Sequence, residues 1–182
     1  KGHPLWLFAN ENGALAMLLE QAEEKIKDGS ANKKTLESLR GISIHYAKKG
    51  DLLYPVLNVR YGISGPASVM WTVDDEIRDE LNALAKQKHQ KETDAWKQRL
   101  NAVLTRMEEM IYKESNILFP NCALNFSEEE WYHIYRDAKD YAECFGIRGD
   151  SWEAAEAHLI LHQQQTQTAQ PVSYTHLRAH ET

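Results

Sequence analysis

Apolar side chains recur three and four positions apart through most of this chain. From Leu5 to about Lys27 the repeating set is Leu7, Phe8, Leu15, Leu18, Leu19, Ala22 and Ile26, which makes one face of a helix. Asp28-Gly29-Ser30 ends it, with Gly29 suited to a left-handed helix terminus. The pattern predicts a second helix from about Lys33 to Tyr54, with Leu36, Leu39, Ile42, His45, Leu52 and Leu53 facing inward. Beyond Pro55, the stretch Tyr61 to Pro66 is rich in turn formers, and Pro66 is placed to open a helix. A third stripe of Val69, Met70, Val73, Ile77, Leu81 and Leu84 predicts a helix over roughly 67–89. A fourth runs over about 94–119 on Trp96, Leu100, Val103, Leu104, Met107, Met110, Ile111 and Leu118.

After Pro120 the pattern lapses. Ser127-Glu128-Glu129-Glu130 then has the form of a capping box, opening a fifth helix that should reach about Cys144. Gly146 to Asp150 interrupts again, and a sixth helix is expected from Ser151 to about Gln165. Four long amphipathic helices joined by short links favour an antiparallel, up-down four-helix bundle, here with one or two extra C-terminal helices. The expected division is a helical bundle over 1–145 and a helical extension over 146–170. The last stretch, 171–182, resembles translated adapter sequence and is set aside from fold reasoning.

Within the bundle the chain repeats itself. His45 to Pro55 ends Leu52-Leu53-Tyr54-Pro55, and Met110 to Pro120, 65 residues later, ends Ile117-Leu118-Phe119-Pro120. Asn12-Gly13-Ala14-Leu15 is echoed by Asp74-Asp75-Glu76-Ile77, offset by 62. Two helical hairpins of one plan would bring Asn12, His45, Asp74 and Met110 to comparable heights. Function turns on whether those positions hold a metal.

Composition narrows the alternatives. A formal charge of −6 with no basic stripe argues against a nucleic-acid partner. No apolar run approaches the ~20 residues that span a bilayer, so no membrane association is expected. Cys122 and Cys144 fit neither a zinc pair nor a disulfide framework, which favours a cytoplasmic location. No phosphate loop, nucleophile elbow or thiol–imidazole motif is present, and the chain is not expected to be an enzyme.

Several short motifs then carry a resemblance. They are Gly2-His3-Pro4 with Phe8, Glu11-Asn12-Gly13-Ala14-Leu15, His45-Tyr46 and Leu52 to Pro55. Further along come Gly65-Pro66 with Val69-Met70-Trp71, Asp75-Glu76-Ile77-Arg78, Lys113-Glu114 with Ile117 to Pro120, Glu130-Trp131-Tyr132 and Ile134-Tyr135. In this order, over about residues 2–145, the chain resembles hemerythrin-like (HHE cation-binding) domains. The likeness is to a prokaryotic family in which the domain precedes a PAS sensor domain. The resemblance implies a four-helix bundle with a cation site between the helices and, in longer relatives that carry a PAS-type module, a sensing role in signal transduction. Imidazole and carboxylate together suit iron. A metal ion, a small gas ligand, an attached PAS-type module and a second copy in a homodimer are the expected partners.

Such domains place His on helix one, His then Glu a turn later on helix two, His on helix three, and His then Glu on helix four. Here the corresponding positions hold Asn12, His45 then Lys49 and Gly50, Asp74, and Met110 then Glu114. A second family histidine, three residues beyond His3, is Trp6. The expected metal ligands are therefore His45, Glu114, Asp74 and His3, in a partly degenerate site. A Lys49–Glu114 salt bridge competes with the metal and would leave a metal-free signalling or dimerisation module. His45 facing Met110 would suit haem iron, which makes a haem-binding sensor a further alternative. His158 and His162 have i, i+4 spacing but no patterned carboxylate partner, and they read as helix surface.

Overall fold

In a computed structural model, residues 1–62, 64–87 and 93–169 are described. The proposed adapter-like tail lies outside them, as does the end of the third helix at His89. Eight α-helices account for most of the described chain, and there is no strand among the described residues. They are α1 (Pro4–Lys27), α2 (Lys33–Leu39), α3 (Ile42–Leu52), α4 (Gly65–Lys86), α5 (Asp94–Lys113), α6 (Phe119–Asn125), α7 (Glu128–Ala138) and α8 (Glu153–Thr168). The bundle is formed by α1, the α2–α3 pair, α4 and α5. α1 packs on α5 and on α2–α3, and α4 closes the square from the other side.

The second expected helix is divided in two at Arg40-Gly41. At Gly41 the chain from 139 to 152 crosses close by: a Cβ there would meet the Phe145 ring at 3.0 Å. Phe145 itself takes a left-handed backbone, φ 53°, and Cys144 Sγ donates to Gly41 O at 3.2 Å. Helical periodicity carried no sign of this crossing.

The fourth helix differs in the opposite sense. It does not stop at Pro120 but continues through a π-helical turn, Glu114–Leu118, into α6. A proline has no N–H to donate, and the wider i→i+5 turn ahead of it lets the helix proceed without that bond. A second π turn, Val56–Arg60, follows Pro55 after the end of α3. It lies just beyond the first copy of the internal repeat, on the far side of its proline, whereas in the second copy the π turn precedes the proline.

The fifth helix ends at Ala138, short of Cys144, but its start is as expected. Ser127 Oγ accepts from the Glu130 N–H at 3.2 Å, and the Glu130 carboxylate reaches back to the Ser127 N–H at 3.4 Å. Tyr61 donates to the same carboxylate at 2.5 Å, tying the cap to the end of the second hairpin arm. Ser127→Ala should lower unfolding free energy by about 1 kcal/mol in urea titrations, the usual cost of an N-cap. α7 lies against α1 and α3, and α8 packs on α7 through Tyr132, Tyr135 and Ala155.

Candidate metal centre

The apolar stripes of the four bundle helices are interrupted at one level by charge. On α1 the run Phe8, Leu15, Leu19 and Ala22 contains Glu11 and Asn12. On α3 the face of Ile42, Tyr46 and Leu52 contains His45, Lys48 and Lys49. On α4 Asp74 stands between Met70 and Ile77, and after α5 Glu114 follows Met107 and Met110. All of these polar residues are buried, and Glu11, His45 and Lys49 are 0% exposed. Isolated, such charges would each cost several kcal/mol, so their pairing decides whether the bundle is stable at all.

The pairing is dense. Lys49 Nζ donates to Asp74 Oδ1 at 2.8 Å and to Glu114 Oε2 at 3.2 Å. The same ammonium lies over the Tyr46 ring, 4.5 Å from its centroid. Tyr54 donates to the second Asp74 oxygen at 3.0 Å. His45 holds Glu114 Oε1 at 2.5 Å through Nε2 and faces Glu11 Oε1 at 3.4 Å through Nδ1. Lys48 Nζ is 2.6 Å from both Glu11 oxygens. Asn12 Nδ2 donates to Glu114 at 3.4 Å, while its Oδ1 is buried without a partner.

Proton affinities follow from this wiring. Burial alone would lower the His45 pKa, but the Glu114 and Glu11 carboxylates outweigh it and hold the imidazole above its ordinary value. Burial alone would raise Glu114, yet Lys49 and His45 together pull it down to about 2. Asp74, lacking an imidazole, is pushed up by burial to about 6 despite Lys49 and Tyr54. The two carboxylates that share one ammonium thus shift in opposite directions because only Glu114 has a second cation. With His45 protonated, Glu11, Asp74 and Glu114 face Lys48, Lys49 and His45: three charges of each sign.

Of the four residues expected from the sequence, His45, Asp74 and Glu114 meet in this cluster. His3 makes its contacts elsewhere. Its Nδ1 accepts from the Leu5 N–H at 3.0 Å as the N-cap of α1, and its ring packs between Trp131 and Trp152 at 4.5 and 4.9 Å. Asp74 is not part of a solvated run, since Asp75 and Glu76 are exposed and it is not. Glu11 and Lys48 were missed by sequence reasoning. Their signal was available, because Glu11 falls three after Phe8 and four before Leu15, inside a buried stripe.

Gly50 stands beside the cluster, where no side chain fills the space. A cavity of about 90 Å³ lies there, lined by Gly50, Tyr54, Trp71, Asp74 and Arg78 among others. A Cβ at Gly50 would come no nearer than 3.9 Å to Tyr54, so the backbone does not require glycine at this point. In a helix interior Gly costs about 1 kcal/mol relative to Ala, and nothing in the packing repays it.

No curated protein is similar enough to the chain to match it. The family model described as the hemerythrin HHE cation-binding domain matches residues 3–122, a segment that contains α1 to α5 and every residue of the buried cluster. With four bundle helices converging on imidazole and carboxylates, and that match covering most of its length, the chain belongs to the hemerythrin HHE cation-binding family.

Proposed function

We propose that this chain is a hemerythrin-type helical module whose inter-helix cation is its own Lys49 ammonium. It serves as a non-catalytic regulatory or sensory domain in the cytoplasm, passing changes at the bundle to an attached PAS-type module or to a second copy. The single observation that carries this reading is the position of Lys49 Nζ, fully buried and shared by Asp74 and Glu114. Family relatives bind metal through imidazoles and carboxylates, a donor set suited to iron. In this chain each carboxylate of that level is already neutralised: Glu11 by Lys48, Asp74 by Lys49, and Glu114 by Lys49 and His45. A divalent ion placed among them would lie beside two ammonium groups in a medium where like charges repel strongly. The residues present do not fit a two-metal centre.

Haem fits no better. Both ring nitrogens of His45 face carboxylates, and Met110 is packed in the apolar core. A second reading has one observation in its favour. Asn12 Oδ1 is a buried oxygen without a partner beside Glu114, and with His45, Asp74 and Glu114 it would offer oxygen and nitrogen donors to one iron-type cation. Lys49 would then have to leave the site.

Iron loading separates the two. Untagged protein and its His45→Gln variant are incubated anaerobically with ferrous iron, and bound iron is counted by mass spectrometry. The proposal predicts that no iron depends on His45. Near-stoichiometric iron that is lost in H45Q, with helical circular dichroism retained, would overturn it in favour of the single-cation site.

A further inference from the structure

A different cluster of ligating side chains lies outside the bundle, where α8 crosses α7. Glu129 and His133 are one turn apart on α7, and His158 and His162 are one turn apart on α8, so each helix presents two donors on one face. Ligand atoms of Glu129, His133 and His158 all lie within 4.8 Å of one another. His162 Nε2 is 3.8 Å from Glu129 Oε1, and the His158 and His162 rings are 4.6 Å apart. His158 Nε2 is buried against Tyr132 and has no hydrogen-bond partner. A buried ring nitrogen without a partner is costly, and metal coordination is one of the few ways to satisfy it.

The geometry points to a divalent-cation site of the zinc type, with Glu129, His133 and His158 as ligands and His162 as the fourth. Two imidazoles and a carboxylate, completed by a further nitrogen, are a standard zinc donor set. Zinc bound at about 2.0–2.2 Å separates its ligand atoms by roughly 3.4 Å, so the three atoms now within 4.8 Å of one another have about 1 Å to close. The four residues come from two helices that otherwise meet over a small apolar patch of Tyr132, Tyr135 and Ala155 and through Glu156, which accepts from Tyr135 at 2.7 Å and pairs with Lys139. An ion there would fasten α8 to α7, and through α7 to the bundle. The spacing alone offered His158 and His162 no patterned carboxylate partner on their own helix. Their carboxylate partner is on the neighbouring helix, not on their own.

The site is independent of the Lys49 cluster, and its test does not depend on that reading. Zinc is titrated calorimetrically into the chelator-treated, untagged 182-residue chain and into three variants. The native chain should bind one zinc ion and melt at a higher temperature with zinc present. Glu129, His133 and His158 being ligands, an H133A/H158A variant should lose the binding while keeping its helical circular dichroism. A variant lacking the tail histidines, H176A/H180A, should bind as the native chain does. H162A should bind more weakly. Absence of zinc binding in the native chain, or unchanged binding in H133A/H158A, would overturn the assignment.

Discussion

Lys49→Ala should destabilise the protein by about 3–5 kcal/mol, the cost of leaving buried charges without their partner. Asp74 and Glu114 would remain buried, and only His45 would still offset them. The cost should not be a matter of lost volume alone. Lys49→Met, which keeps the bulk, should be nearly as damaging, whereas combining K49M with D74N and E114Q should recover much of the loss, because with His45 neutral only the Glu11–Lys48 pair is left. Urea unfolding of the three variants measures this. In an H133A/H158A background, which removes the α7–α8 donors, K49A should also gain a melting-temperature rise with added divalent cation, the ion replacing the missing ammonium, while the same background with Lys49 intact should not. If K49M were as stable as the native protein, the ion pairs would not be holding the cluster together.

Glu114→Gln should have the second largest effect, and a characteristic pH dependence. The folded-state pKa of Glu114 is depressed from 4.5 to about 2. Its contribution is therefore complete above 4.5 and lost as pH falls toward 2, about 3 kcal/mol in all at 1.36 kcal/mol per unit. Asp74 and His45 act with the opposite sign. Asp74 is raised to about 6, so its favourable contribution belongs to the low end, present below 3.8 and lost as pH rises through 6. His45 is raised, so its contribution is present below 6.5 and lost above that as the imidazole deprotonates. The cluster should thus be most secure in mildly acidic solution. In E114Q the acid limb between 4.5 and 2 should flatten and the His45 limb should move to lower pH. A stability–pH profile from thermal melts reads both changes. An unaltered acid limb would mean that Glu114 is not the group whose protonation loosens the bundle.

Much of this architecture was legible in the sequence because amphipathic periodicity and capping are local properties. The starts of α1 and α7, the four bundle stripes and the order of the helices all follow from spacing. The departures share a different cause. Gly41 breaks a helix because Phe145, over a hundred residues later, needs the space. Pro120 fails to end one because a π turn absorbs the missing donor. Neither is written in the local pattern. At the site, His45, Asp74 and Glu114 could be found through the internal repeat and the family resemblance. The Lys49–Glu114 pair could be foreseen as a rival, but not that Asp74 would share Lys49. Glu11 and Lys48 were not singled out as site residues, although their register put them inside. His3 was drawn into the site by its motif, while in space it is a helix cap between two tryptophans.

The loss of metal ligands and the gain of internal cations belong together in this reading. A buried level of carboxylates needs positive charge among them, whether or not an ion is bound. Lys48 and Lys49 on one turn of α3 supply two positive charges in its place, and a protonated His45 supplies the third. Under this proposal, that internal charge pattern stands where relatives hold a metal.

Anomalous X-ray diffraction at the iron edge, from crystals soaked anaerobically in ferrous salt, tests this most directly. The account predicts no anomalous peak between α1, α3, α4 and α5, with Lys49 Nζ within hydrogen-bond distance of Asp74 and Glu114. A peak among His45, Asp74 and Glu114, with Lys49 turned away from both carboxylates, would contradict it.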